Sequence, residues 1–199
     1  MGFAHASSEL QRFDGKAEGQ PGLKAYFVEL GEKNYKSLAL AIKHTPKMIV
    51  GSYVVSLIAN KAFQSLVGDE TYDEMVASDD TYQSSVVANP MHVAIVAPVL
   101  EELIFRLSMV PFIKRKDDGF AGKLQNQMMR LYSSYLFAKS HWNNAHPGRI
   151  MQTIGAGLTG VMYYNLLEED IANDGAKTAT IYAHMINNGL ILLIILSVS

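Results

Sequence analysis

Three short stretches of this sequence place groups able to do chemistry inside otherwise apolar surroundings. The first is APVLEELIFR, residues 97–106, where Glu101, Glu102 and Arg106 interrupt a run that is greasy on both sides. Glu102 and Arg106 are spaced i,i+4 with the acid first, the favourable order for a pair on one helix face. Glu101 lies about 100° round the helix from Glu102, so the same arginine need not neutralise both, and one carboxylate is left for chemistry. In FAKSH, Phe137 and His141 share a face, and in HMINN so do His184 and Asn188. His184 and Asn188 open the most apolar segment of the chain, where each desolvated polar group needs a partner. Blander readings stand beside these. EExxxR spacings also occur on solvated helix edges, a histidine near a helix end often caps or packs, and an asparagine in an apolar helix can serve packing.

Together the three sets hold what amide hydrolysis requires. A carboxylate in an apolar cavity can take a proton from water. A nearby imidazole can orient that water or pass a proton onward. A second histidine and an amide one turn away can donate hydrogen bonds to a developing oxyanion, each such donor being worth about 10²–10³ in rate. The remaining histidines, His5, His44, His92 and His146, and the pair Tyr163 and Tyr164, read as interface or surface groups.

The elements that must position these groups follow from the apolar pattern. The chain has 199 residues, 49% of them hydrophobic, with a formal charge of −2 and no cysteine. It is long enough for one domain with a core. The charge argues against a nucleic-acid partner, and the missing cysteine rules out disulfides, zinc–thiolate sites and a thiol nucleophile. The start, MGFAHASSEL, lacks a signal-peptide pattern and has Ala6 where myristoylation requires Ser or Thr. Residues 1–46 read as a polar or interfacial segment containing a helical piece, with a boundary at Pro46 and a membrane-embedded helical domain over 47–199.

Within that domain, KMIVGSYVVSLIANKAFQSLV is a marginal span, interrupted by Asn60 and Lys61. An acidic linker, GDETYDEMVASDDTYQSS, precedes the segment that holds Glu101, which is long enough to cross a bilayer if its charges face protein or water. After the charged loop KRKDDGFAGK comes the shorter amphipathic MMRLYSSYLFAKSHW. IMQTIGAGLTGVMYYNLL and TATIYAHMINNGLILLIILSVS carry no charge, and Gly155, Gly157 and Gly160 suit close helix packing. The lysines before the first span and the basic cluster after the second place both on the cytoplasmic side, with the 68–84 linker outside. The expectation is an all-α, multi-helix transmembrane bundle with its site in an intramembrane cavity. A soluble all-α domain with two buried helices is the alternative.

In order, EELIFR, FAKSH and HMINN match the EExxxR, FxxxH and HxxxN motifs of the CAAX prenyl protease and bacteriocin-processing membrane protease family, and the resemblance covers roughly residues 88–195. The small-Pro lead-in to EELIFR and the Gly-rich segment between the second and third motifs agree with it. The resemblance implies an intramembrane, metal-independent glutamate endopeptidase of a bacterial cytoplasmic membrane, acting on a peptide or protein substrate without a cofactor. Glu101 would correspond to the water-activating base, His141 would help hold that water, and His184 with Asn188 would form the oxyanion-stabilising pair. Glu102 and Arg106 would support the site, and Phe137 would pack beneath His141. Departures are the short chain, the polar second-motif helix with Lys139 and two serines, and Leu107 after the arginine. Small bacterial relatives are linked to bacteriocin processing or self-immunity. Two other readings use the same residues: a zinc site with Glu101, His141 and His184 as ligands, and a non-catalytic immunity or scaffold protein of the same fold.

Overall fold

A computed structural model describes residues 22–77, 89–114, 119–141 and 150–198, all helices and short connections with no strand among them. In chain order they are α1 (Leu23–Val67), α2 (Asp69–Ala77), a π-helical turn (His92–Val96), α3 (Ala97–Phe105), a 3₁₀ segment (Leu107–Phe112), α4 (Gly119–Ser140), α5 (Ile150–Ala172) and α6 (Ala179–Val198). His5 and His146 lie outside the described residues.

α1 runs 45 residues, about 67 Å at the helical rise, and continues through Pro46. No break in the helix therefore marks position 46, where the sequence pattern changes. Pro46 deprives the Ile42 carbonyl of its usual donor, and the preceding Thr45 hydroxyl bonds the Ala41 carbonyl (2.7 Å). The helix stops at Gly68, whose φ of +85° suits glycine and whose N–H closes on Gln64 (2.9 Å). The first part of the acidic linker is itself helical, with Asp69 and Glu70 in the first turn of α2, where the helix dipole favours negative charge.

The segment long enough by sequence to cross a bilayer is broken into three helical pieces. Pro98 sits at the start of α3 behind the π-turn, Arg106 leaves helical geometry at φ −122°, and Pro111 lies in the 3₁₀ piece. Each break frees backbone groups, which is why neighbouring helices bring side-chain partners to this region.

α5 is the hub. On one side Gly160 meets α4 so closely that a Cβ there would stand 3.1 Å from Ser134 Cα and 3.0 Å from Arg106 Nη2. On the other, a Cβ at Gly155 would stand 3.0 Å from Ser56 Oγ of α1, and Ser52 and Thr159 share a hydrogen bond (3.0 Å). The small-residue packing expected of Gly155 and Gly160 is thus met. α6 lies against α1 and α5 through a core of Ala41, Met48, Tyr163, Leu166, Ala179 and Ala183.

The α5–α6 turn is closed by a buried carboxylate. Asp170 accepts both from the Ser37 hydroxyl (2.8 and 2.9 Å) and from the Ala179 N–H at the start of α6 (3.0 Å). Among the described helices, α6 over Ala179–Ser197 is long and apolar enough to cross a membrane by length and composition. α5, expected to give an equally clear signal, falls short because Thr153, Thr159, Asn165 and its glycines dilute the apolar run and Glu168, Glu169 and Asp170 end it.

Candidate active site

The π-turn, α3, α4, α5 and α6 converge on the charged stretch of α3. Glu102 and Arg106 are both sealed from solvent and form the expected i,i+4 pair, Arg106 Nη1 donating to Glu102 Oε1 at 3.2 Å. The arginine also lies over the Phe137 ring, with Cζ 3.9 Å from its centroid and Phe105 and Tyr163 further out at 6.0 and 5.6 Å. A buried guanidinium thus gains a cation–π contact that a dry site makes stronger. Gly160 leaves the room it occupies.

His184 joins this pair. Its Nδ1 is 2.9 Å from Glu102 Oε1, so the imidazole and the guanidinium share one carboxylate oxygen. Nε2 is then the nitrogen that faces Glu101, 3.7 Å from Oε2. Two aromatic rings fix the imidazole plane. Tyr163 stacks on it at 4.9 Å and 27°, and Phe137 meets it edge-on at 5.8 Å and 77°.

The neighbouring glutamates differ sharply in access. The Glu102 side chain is 0% exposed and that of Glu101 is 28% exposed. Of the two, only Glu101 reaches the surface of the bundle.

His141 ends α4 and packs on Phe137 at 4.6 Å, as expected. Its Nδ1 lies 2.8 Å from the Phe137 carbonyl. A carbonyl can only accept, so Nδ1 carries the hydrogen and Nε2 is left as an acceptor in the neutral ring. Phe137 therefore lies between two imidazoles and under one guanidinium.

Asn188 is placed differently. Its Nδ2 donates to the Val93 carbonyl in the π-turn (3.0 Å), which commits one of its two amide hydrogens. Among the described residues no three His, Asp or Glu side chains gather closely enough to hold a metal ion, so Glu101, His141 and His184 are not drawn together as ligands.

Tyr163 and Tyr164 correct the sequence reading of a surface pair. Both are buried, at 1% and 0% exposure, and Tyr163 belongs to the site. The reason is that α5 packs against α4 on one face and against α1 and α6 on another, so Tyr163 and Tyr164 both face protein while Asn165 beside them is exposed. His44 is likewise partly covered, 3.3 Å from Glu169, whereas His92 is exposed. The unusual polarity of the second-motif helix also has an explanation. Ser133 donates to the Phe105 carbonyl freed by the break at Arg106, and Ser134 bonds back to Arg130.

With that geometry in place, comparison with known proteins is informative. The family described as type II CAAX prenyl endopeptidase Rce1-like matches residues 83–190, more than half of the chain and all three motifs. No curated protein and no solved structure matches. The motif order seen in the sequence, the Glu–Arg–His cluster it folds into and the extent of the match agree, and this chain belongs to the type II CAAX prenyl endopeptidase Rce1-like family of membrane proteases.

Proposed function

We propose that the protein is an intramembrane endopeptidase in which Glu101 activates the attacking water. The observation that carries this reading is the contrast within one motif. Glu102 is sealed between Arg106 and His184, whereas Glu101 is partly open and stands 3.7 Å from the far nitrogen of the same histidine.

In the proposed reaction, Glu101 takes a proton from water while the oxygen adds to the scissile carbonyl carbon. His141, with Nδ1–H bound to the Phe137 carbonyl, accepts a hydrogen bond from that water at Nε2. The carbonyl oxygen becomes an oxyanion and is met by His184 Nε2–H and the second Asn188 amide hydrogen. For this His184 donates from both nitrogens, Nδ1–H to Glu102 and Nε2–H to the substrate. Glu101 then gives its proton to the amine nitrogen as the C–N bond breaks, leaving a carboxylic acid and an amine. Glu102, Arg106, Tyr163 and Phe137 orient His184 and do not touch substrate.

The setting supports a multi-helix membrane bundle around this site. Buried positions hold Ser37, Ser133, Ser134, Asp170, Thr180, Glu102, Arg106 and His184, while Tyr53, Ile58, Leu131, Leu193 and Ile194 are all more than half exposed. Burying these charged and polar groups beside the apolar core while exposing large apolar side chains departs from the pattern of a water-facing protein and suits a bundle whose outer surface meets lipid. The peptide substrate would then approach the open side of Glu101 from within or along the bilayer.

The test uses detergent-purified protein against a peptide library, with Glu101→Gln as control and with a chelator in parallel. Cleavage that survives chelation and is lost in the variant supports the reading. Undiminished cleavage by Glu101→Gln removes Glu101 as the base, and activity abolished by chelation and restored by zinc would favour a metal mechanism.

A further inference from the structure

The helix that carries Glu101 does not close its backbone in the ordinary way. His92–Val96 is π-helical and runs directly into α3. The Ala97 N–H reaches back five residues to the His92 carbonyl. Next comes Pro98, which has no N–H to give. Whichever register the segment adopts, one carbonyl loses its donor. In an α register it would be Ala94, four residues before Pro98, and the proline ring would also press on it. In the π register it is Val93, five residues before Pro98. Across the bundle, Asn188 of α6 donates Nδ2 to that same Val93 carbonyl at 3.0 Å.

We infer that Asn188 is a positioning residue whose amide caps the carbonyl orphaned by Pro98 and so holds the segment ahead of Glu101 in the π register. The register matters because of what lies downstream. Without the cap, the Ala97 N–H can satisfy Val93 by slipping to an ordinary i→i−4 bond. That removes the extra residue of the π-turn and rotates α3 by about 100° relative to what precedes it. Glu101 and Glu102 then turn relative to His184, and the 2.9 Å contact of Glu102 with Nδ1 is lost. Asn188 thus couples α6 to the glutamates through backbone, a role separate from any hydrogen bond to substrate. The catalytic consequence rests on the site proposed above; the backbone latch itself does not.

A double-mutant cycle separates the two. Pro98→Ala supplies an N–H five residues after Val93, so the carbonyl no longer depends on Asn188. In the otherwise native full chain in detergent, Asn188→Ala is expected to lower Tm by about 3–6 °C. The same variant should reduce kcat about 10²-fold or more, because it also removes a proposed oxyanion donor, with KM changed less than about twofold. In the Pro98→Ala background the same substitution should shift Tm by less than about 1 °C. An equal Tm shift in both backgrounds, or none in either, overturns the latch. Should Asn188→Ala alone fail to fold, recovery of folded double variant supports the latch. Failure of the double variant, while Pro98→Ala folds, overturns it. Glu101→Gln is measured alongside. Undiminished cleavage there removes the proposed site, and the Tm cycle still decides the latch.

Discussion

Two sealed carboxylates touch α6, and they are held by opposite means. Asp170 meets the first residue of the helix and is closed entirely by neutral donors, the Ser37 hydroxyl and the Ala179 N–H. Glu102 meets the same helix five residues on, at His184. It is held by a guanidinium and an imidazole on one oxygen, and its other oxygen has no protein partner among the described residues. The first arrangement caps a helix and pins α1 to the α5–α6 turn. The second wires a carboxylate to two groups that carry or move protons, beside a second carboxylate that water can reach. An acid surrounded by neutral dipoles is a fastener; an acid shared between Arg and His next to an open neighbour fits the supporting part given to it in the proposed site.

That contrast can be broken from either end. The largest stability effect should come from Arg106→Leu, which leaves Glu102 buried without its cation and costs about 3–5 kcal/mol. Chemical or thermal unfolding in detergent would show it, and a loss below about 1 kcal/mol would mean the pair is not sealed as described. Asp170→Ala should follow, at about 2–3 kcal/mol, from the Ser37 hydroxyl and Ala179 N–H it leaves unpaired. The variant still folded should keep its kcat, and a selective loss of kcat would erase the distinction between fastener and site. Gly160→Ala comes next at about 1–3 kcal/mol, because its Cβ would press on Ser134 Cα and Arg106 Nη2. Tyr163→Leu should be mildest, about 0.5–1.5 kcal/mol, since it removes one stacked ring from His184. Steady-state kinetics should show lower kcat with little change in KM, and an unchanged kcat would mean the stack does not orient the imidazole.

The sequence carried the site further than it carried the fold. The Glu102–Arg106 pair follows from i,i+4 geometry alone, and the Phe137–His141 contact does too. Both are local to one helix, where spacing determines who meets whom. The link from His184 to Glu102 spans 82 residues of chain, and no spacing rule reaches across that separation. Tyr163 was missed for the same reason: its neighbour is a histidine on another helix, and a tyrosine pair in an apolar segment reads equally well as an interface belt. The break of the Glu101 segment into π, α and 3₁₀ pieces was signalled by Pro98 and Pro111. The apolar run around them gives a crossing length and says nothing of where the helix changes register. The partners that tolerate the breaks, Asn188 for Val93 and Ser133 for Phe105, lie on other elements. Gly155 and Gly160 were legible as packing residues because small residues in a charge-free helix have few other uses.

The central claim is that Glu101, the open member of the glutamate pair, is the base. The most direct measurement is kcat per folded molecule for Glu101→Gln, taken with Tm on the same preparation. With Glu101 as the base, kcat falls by about 10²–10⁴ while Tm stays within about 1 °C of the parent. Cleavage undiminished at unchanged Tm would contradict it.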